Sequence, residues 1–169
     1  MQMTSPLPRD PIAQAREQWI SHGWSAEADS MAAITAVMRT ASIYLQRADA
    51  ILKPHGLTFA RFEVLALLGF SKRGSLPMSQ ASQLLQVHAT SLTNSVDRLE
   101  ATGLVRRIPH PTDGRTRLLE LTTAGQQVLP AARDDLNEKL FARSNLSGTD
   151  ATEIFEILAR FRKASGDFL

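Results

Sequence analysis

Three features of the 169-residue sequence predict a mainly α-helical fold with one small β-hairpin. Apolar residues recur at three- and four-residue intervals over most of the chain, as one face of a helix requires. That period gives way to alternation only after Gly103, around an Asp113-Gly114 turn dipeptide. Just before the alternating stretch, two short helical segments are joined by a tight turn, which is the helix-turn-helix unit. A hairpin hung behind such a unit makes a winged helix-turn-helix. It spans 58–122, flanked by helical segments over 12–53 and 123–169 in one domain covering 1–169.

The elements follow in order. Pro6, Pro8 and Pro11 mark a loose N-terminal arm. A short helix over 12–21 ends near Gly23. A second, over 29–53, carries Met31, Ile34, Met38, Ala41, Leu45, Ala48 and Leu52 on one face; Asp29 or Ser30 caps it and Lys53-Pro54 stops it. A third, over 58–71, is capped by Thr58, with Phe59, Phe62, Leu65 and Leu68 or Gly69 in phase. Lys72-Arg73-Gly74-Ser75 is a turn and Leu76-Pro77-Met78 a short extended piece. Ser79 caps a helix over 80–85, and another starts near Ala89 and buries Leu92, Val96 and Leu99 before Gly103 stops it. Strands follow on both sides of Asp113-Gly114. Thr122 or Thr123 caps a long helix to about Arg143, in which Pro130 should cause a kink or register break. Leu146-Ser147-Gly148-Thr149-Asp150 resembles a capping box with a hydrophobic staple. It opens a last helix with Ala151, Ile154, Phe155, Leu158 and Phe161 aligned.

Composition narrows the function. The chain is 43% hydrophobic and 21% charged, which excludes disordered and collagen-like classes. No apolar run approaches the ~18–20 residues of a membrane span, and the N-terminus lacks the apolar segment of a secretory signal. Having no Cys, the chain cannot use disulfides, thiolate nucleophiles, Cys-ligated zinc or a thiol redox switch, and it suits a reducing cytoplasm. His22, His55, His88 and His110 lack helical metal-site spacing, and no nucleophile elbow, P-loop or dinucleotide fingerprint occurs. Neither an enzyme nor a cofactor or metal is expected.

The formal charge is only +2, yet residues 72–117 hold seven basic and three acidic residues. A basic middle between mildly acidic ends suits a polyanion-facing module. On a helical wheel, Leu92, Val96 and Leu99 share one side of the second helix of the unit, leaving Thr90, Ser91, Thr93 and Asn94 outward. Short hydroxyl and amide side chains let a helix lie deep in a DNA major groove. Arg115 stands just past the hairpin turn, where it can enter a minor groove, while Arg106, Arg107 and Arg117 on the stems meet phosphates. Asp113, which phosphates would repel, is a partner for Arg98 or Arg115. The alternative is a winged helix used for protein–protein contact, for which Arg115 would be dispensable.

The ordered set Leu57-Thr58-Phe59-Ala60-Arg61-Phe62-Glu63-Val64-Leu65, Val96-Asp97-Arg98-Leu99-Glu100-Ala101-Thr102-Gly103-Leu104-Val105-Arg106-Arg107, Asp113-Gly114-Arg115 and Leu119-Glu120-Leu121-Thr122-Thr123-Ala124-Gly125 resembles the MarR family of bacterial transcription regulators. The resemblance implies a homodimer with interleaved N- and C-terminal helices and two winged helices reading a pseudo-palindromic operator in double-stranded DNA. It implies a repressor released by a small aromatic or anionic effector, with Asp113 and Arg115 as the wing's paired acid and groove-inserted arginine and Arg98 as a salt-bridge partner. His88 stands where relatives often place a capping Ser, and His caps poorly. Candidate effector liners are Trp19, Met38, Tyr44, His55, Phe59, Phe62 and Glu63, each of which has an ordinary packing role as its alternative. The N-terminal helix bearing Trp19 resembles the urate-responsive branch. Ser95 and Glu63 replace the Arg and Asp typical of that branch and argue against urate.

Overall fold

The computed structural model describes residues 7–71, 74–113 and 116–169. Two compact units divide the chain, one ending at Ala50 and the other running from Ile51 to Leu169.

In the first unit, α1 (Pro11–Ser21) opens at Asp10, whose carboxylate accepts from the Ile12 N–H at 2.9 Å. Pro11 occupies the first turn, where its missing N–H leaves no helical bond unmade. Helix α2 (Ala28–Leu52) begins one residue earlier than the sequence suggests, so Asp29 and Ser30 lie inside its first turn rather than capping it. Asp29 instead receives the Arg16 Nε of α1 at 2.5 Å. Ala28 and Ala48 are buried, whereas Ile34, Val37, Met38 and Leu45 are between 48% and 69% exposed.

The second unit takes in the last two residues of α2, Ile51 and Leu52. A single 3-10 turn, Lys53–His55, is closed by Gly56 at φ +70, a left-handed conformation that suits glycine. Helix α3 (Phe59–Phe70) buries Phe62, Val64, Leu65 and Leu68. Thr58 precedes it without bonding a backbone N–H; its hydroxyl accepts from Arg61 Nε at 3.2 Å. Strand β1 (Ser75–Pro77) leads into α4 (Met78–Leu85), which starts directly after Pro77, so Ser79 sits in the first turn and is not its cap. Gln86 at φ 53, ψ 40 turns the chain, and α5 (Ala89–Ala101) follows.

Strands β2 (Val105–Pro109) and β3 (Arg117–Leu121) form the expected hairpin, and β1 adds a third strand on the far side of β3, all antiparallel. Leu76 lies opposite Leu119 and Val105 opposite Leu121. Helix α6 (Thr123–Leu136) is opened by the Thr122 hydroxyl, which accepts from the Gly125 N–H at 3.1 Å and donates to the Gly103 carbonyl at 2.6 Å. The helix continues through Pro130, and the register break comes later, in a π-helical turn at Asn137–Phe141. Helix α7 (Gly148–Ala164) carries the expected capping box between Ser147 and Asp150. The bonds from Ser147 hold the Asp150 carboxyl below its ordinary pKa.

Leu52, Leu65, Leu68, Leu92, Leu99, Leu119 and Leu136 are fully buried. Helix α3 lies at the centre of this core, packed on α4, α5, α6 and β3. Each such Leu contributes roughly 1.5–3 kcal/mol of transfer free energy. The core thus fixes α5 and the base of the hairpin to one scaffold. Among the described residues no helix is long and apolar enough to cross a membrane.

Candidate nucleic-acid interface

Helix α5 buries Leu92, Val96 and Leu99 and leaves Thr90, Ser91, Thr93 and Asn94 exposed. Its first turn is capped, contrary to the expectation for His88. The imidazole Nδ1 accepts from the Thr90 N–H at 3.3 Å, so an unprotonated ring nitrogen does the work of a Ser oxygen. Thr93 donates its hydroxyl to the Ala89 carbonyl at 2.9 Å.

The structure gives the four hairpin arginines different surroundings. Successive side chains of a strand point to opposite faces. Arg107 shares a face with buried Val105 and lies against α5, whereas Arg106 faces away. Arg107 Nη2 donates to Asp97 at 2.5 Å, Nη1 donates to Glu100, and its own N–H donates to Glu100 Oε1 at 3.0 Å. Partial burial works against the guanidinium charge, but the two carboxylates outweigh it and hold the pKa above its ordinary value. Arg107, expected at a phosphate, here forms a clamp between hairpin and α5 through its two acids. Arg106 forms a cross-strand ion pair with Glu120, its partner in the β2–β3 register, and stays largely exposed. Arg117 is exposed and has no ion pair among the described residues. Arg115, the expected tip residue, lies outside the described residues, as does Gly114.

Asp113 is not brought to Arg98; its carboxylate accepts from the Thr116 hydroxyl at 2.6 Å, closing the near side of the hairpin loop. Arg98 instead lines an open groove of about 840 Å³ with Thr58, Arg61, Asn94, Ser95, Asp97 and Ala101. Arg61 escaped the sequence reading. Its place in the first turn of α3, next to Thr58, was the available signal.

The expected effector residues are distributed over both units. Trp19 packs edge-on against Trp24, with ring centres 5.2 Å apart; Met38 is 69% exposed, and Tyr44 is half-buried. In the second unit, His55 Nε2 meets Asp135 of α6 at 2.9 Å, and Lys139 and His55 together hold the Asp135 carboxyl below its ordinary pKa. Phe62 is a core residue stacked on Phe59, with ring centres 6.3 Å apart. Glu63 borders a cavity of about 40 Å³ with Ser91 and Ser95 of α5 and the apolar Val64, Leu85, Val87 and Leu92. Burial pushes its carboxyl pKa up. That volume is near the size of one water, far below the ~300 Å³ of a small-molecule site. Among the described residues no three His, Asp or Glu side chains gather as a metal site.

Comparison with known proteins matches this arrangement. A model of the MarR family matches residues 55–116. The chain is 32% identical over 109 residues to the HTH-type transcriptional regulator PapX of Escherichia coli, a match covering 63% of this chain and 65%, just under two thirds, of that protein. The crystal structure of Sco5413, a MarR family transcriptional regulator from Streptomyces coelicolor, superposes with a TM-score of 0.75 at 48% identity, covering 83% of this chain and 98% of that chain. Sco3205, a MarR family transcriptional regulator of the same organism crystallised in complex with DNA, superposes with a TM-score of 0.68 at 25% identity, covering 78% of this chain and 88% of that chain. From the residues of the hairpin and α5 to the superposition of nearly the whole of Sco5413, the observations agree that this chain belongs to the MarR family.

Proposed function

We propose that the protein is a homodimeric, sequence-specific DNA-binding transcription regulator acting as a repressor in the cytoplasm. The observation that carries this reading is the exposed, uncharged, short-chained face of α5, whose two nearby acids are both paired with Arg107. Left bare, Asp97 and Glu100 would repel a phosphate backbone; clamped, they orient the helix instead. Thr90, Ser91, Thr93 and Asn94 reach base edges in the major groove. Arg106, Arg117 and Arg98 meet phosphates together with Arg61, and Arg115 enters the minor groove. His88 starts the helix and is adjacent to the backbone.

The dimer reading rests on apolar side chains that one chain leaves in water: Ile34, Met38 and Leu45 on α2, and Phe155 and Phe161 on α7. A second copy covers them, with 12–53 and 123–169 as the dimerising segments around the winged unit at 58–122. A small aromatic or anionic effector acts by favouring one separation of the two α5 helices over another.

Fluorescence anisotropy on the upstream intergenic DNA and on a scrambled duplex, at two salt concentrations, tests the reading. The expected result is preference for the upstream duplex, with a log–log salt slope of about −0.9 per neutralised phosphate. Absence of binding to either duplex at low salt would overturn it in favour of a protein-contact module.

A further inference from the structure

The helix-turn-helix turn is tied to the end of the last helix. Gln86, the turn residue between α4 and α5, has a left-handed backbone that an L side chain adopts at a cost. The turn is otherwise closed locally: Gln86 N–H bonds the Gln83 carbonyl, Val87 N–H bonds the Ser82 carbonyl, and the Ser82 hydroxyl donates to the Val87 carbonyl at 2.7 Å. None of these bonds needs the Gln86 side chain, which leaves the turn altogether. Its amide nitrogen donates to the Asp167 carbonyl at 2.7 Å, and its amide oxygen accepts from Arg162 Nη2 at 3.5 Å.

What it grips is a folded object. After α7, Gly166 N–H bonds the Lys163 carbonyl and Asp167 N–H bonds the Arg162 carbonyl at 3.0 Å, with Gly166 at φ +78. This pair of bonds around a left-handed glycine is the Schellman closure of a helix. Arg162 then doubles the closure, pairing with the Asp167 carboxylate at 2.5 Å and lying 5.5 Å over the Phe168 ring. Helix α7 makes few other contacts within the chain, and most of its length is exposed. The cap thus ties this end of α7 to the turn through the Gln86 side chain.

We propose that the C-terminal cap of α7, built by Arg162, Gly166 and Asp167, holds the helix-turn-helix turn through Gln86, so that a displacement of α7 is passed to the start of α5. Gln86 is then a positioning residue: it touches no DNA and sets the angle at which α5 is presented. The inference rests on the DNA-binding reading for its consequence but not for its structural content.

Deleting 166–169 removes the acceptor carbonyl and leaves every residue of the helix-turn-helix in place. In the DNA-free protein, hydrogen exchange at the Gln86, Val87 and Thr90 amides is expected to quicken by about 2- to 10-fold, the worth of one net hydrogen bond. Gln86→Ala should add little when combined with the deletion, since both remove the same link. Operator affinity, by anisotropy, should fall by a similar factor while the thermal transition is retained. Unchanged exchange at the turn would overturn the proposal. Quickened exchange with unchanged operator affinity would overturn the positioning role. Quickened exchange in a protein that binds no duplex, with or without the deletion, would sink the DNA reading and leave the link between α7 and the turn standing.

Discussion

Arg107 shows how one side chain can serve both stability and the charge of a surface. Its guanidinium spans Asp97 and Glu100, one turn apart on α5, from a strand that follows in sequence. The acids are 55% and 39% exposed, so the pairs are screened, and Arg107→Ala is expected to cost about 1 kcal/mol or less of stability by chemical denaturation. The effect on DNA binding should be larger, because two uncompensated negative charges then face the phosphates. Replacing them as well, with Asp97→Asn and Glu100→Gln, should restore much of the lost affinity in anisotropy. If the triple variant binds no better than Arg107→Ala, repulsion is the wrong account. Glu63 carries the opposite sign. Burial raises its pKa, so the folded state holds the proton more tightly than the unfolded chain. Stability from this group is complete below the ordinary value of 4.5 and declines as pH rises through the raised folded value. Glu63→Gln should therefore raise the Tm at pH 7 and leave it nearly unchanged near pH 4.

At the scale of elements, the base of the hairpin depends on a close approach that only glycine permits. A Cβ on Gly125 would lie 2.2 Å from the Leu104 carbonyl oxygen, so α6 and the start of β2 would have to separate. Gly125→Ala is expected to cost about 1–3 kcal/mol, the usual range for overpacking a tight site. Thermal or urea unfolding reads the loss directly, and an unchanged midpoint would mean that the two backbones can part freely. The helix boundaries show what local sequence carries. The Ser147–Asp150 capping box and the Thr122 cap were legible because each needs only neighbours within three residues. His88 was not, because an imidazole caps only when its ring lone pair happens to face the first turn. Nor was β1 as a strand: three residues ending in Pro77 say nothing of their pairing with Leu118–Glu120. Pro130 drew attention to a break that occurs instead at Asn137–Phe141. The different surroundings of Arg106 and Arg107 were legible in part. Strand alternation places Val105 and Arg107 on one face of β2 and Arg106 on the other.

At the scale of the whole molecule, the apolar surface left by a single chain is the strongest argument for a second copy. Phe155 on α7 and Met38 on α2 are 67% and 69% exposed. Obligate dimer interfaces bury roughly 2,000–5,000 Å² and resemble a core cut in half, for which such residues are suited. A twofold interface presents each substitution twice, so a charge placed there must be buried in duplicate. Phe155→Glu and Met38→Glu are each expected to shift the sedimentation coefficient from dimer toward monomer, while far-UV circular dichroism still reports helix. Operator affinity should fall with them by about 10²- to 10⁴-fold, since one reading head loses the effective concentration its tethered twin supplied. Binding to a single half-site should change little. A variant that remains dimeric and binds as before would place the interface on another face, whereas a monomer that keeps full operator affinity would show that the two heads do not act together.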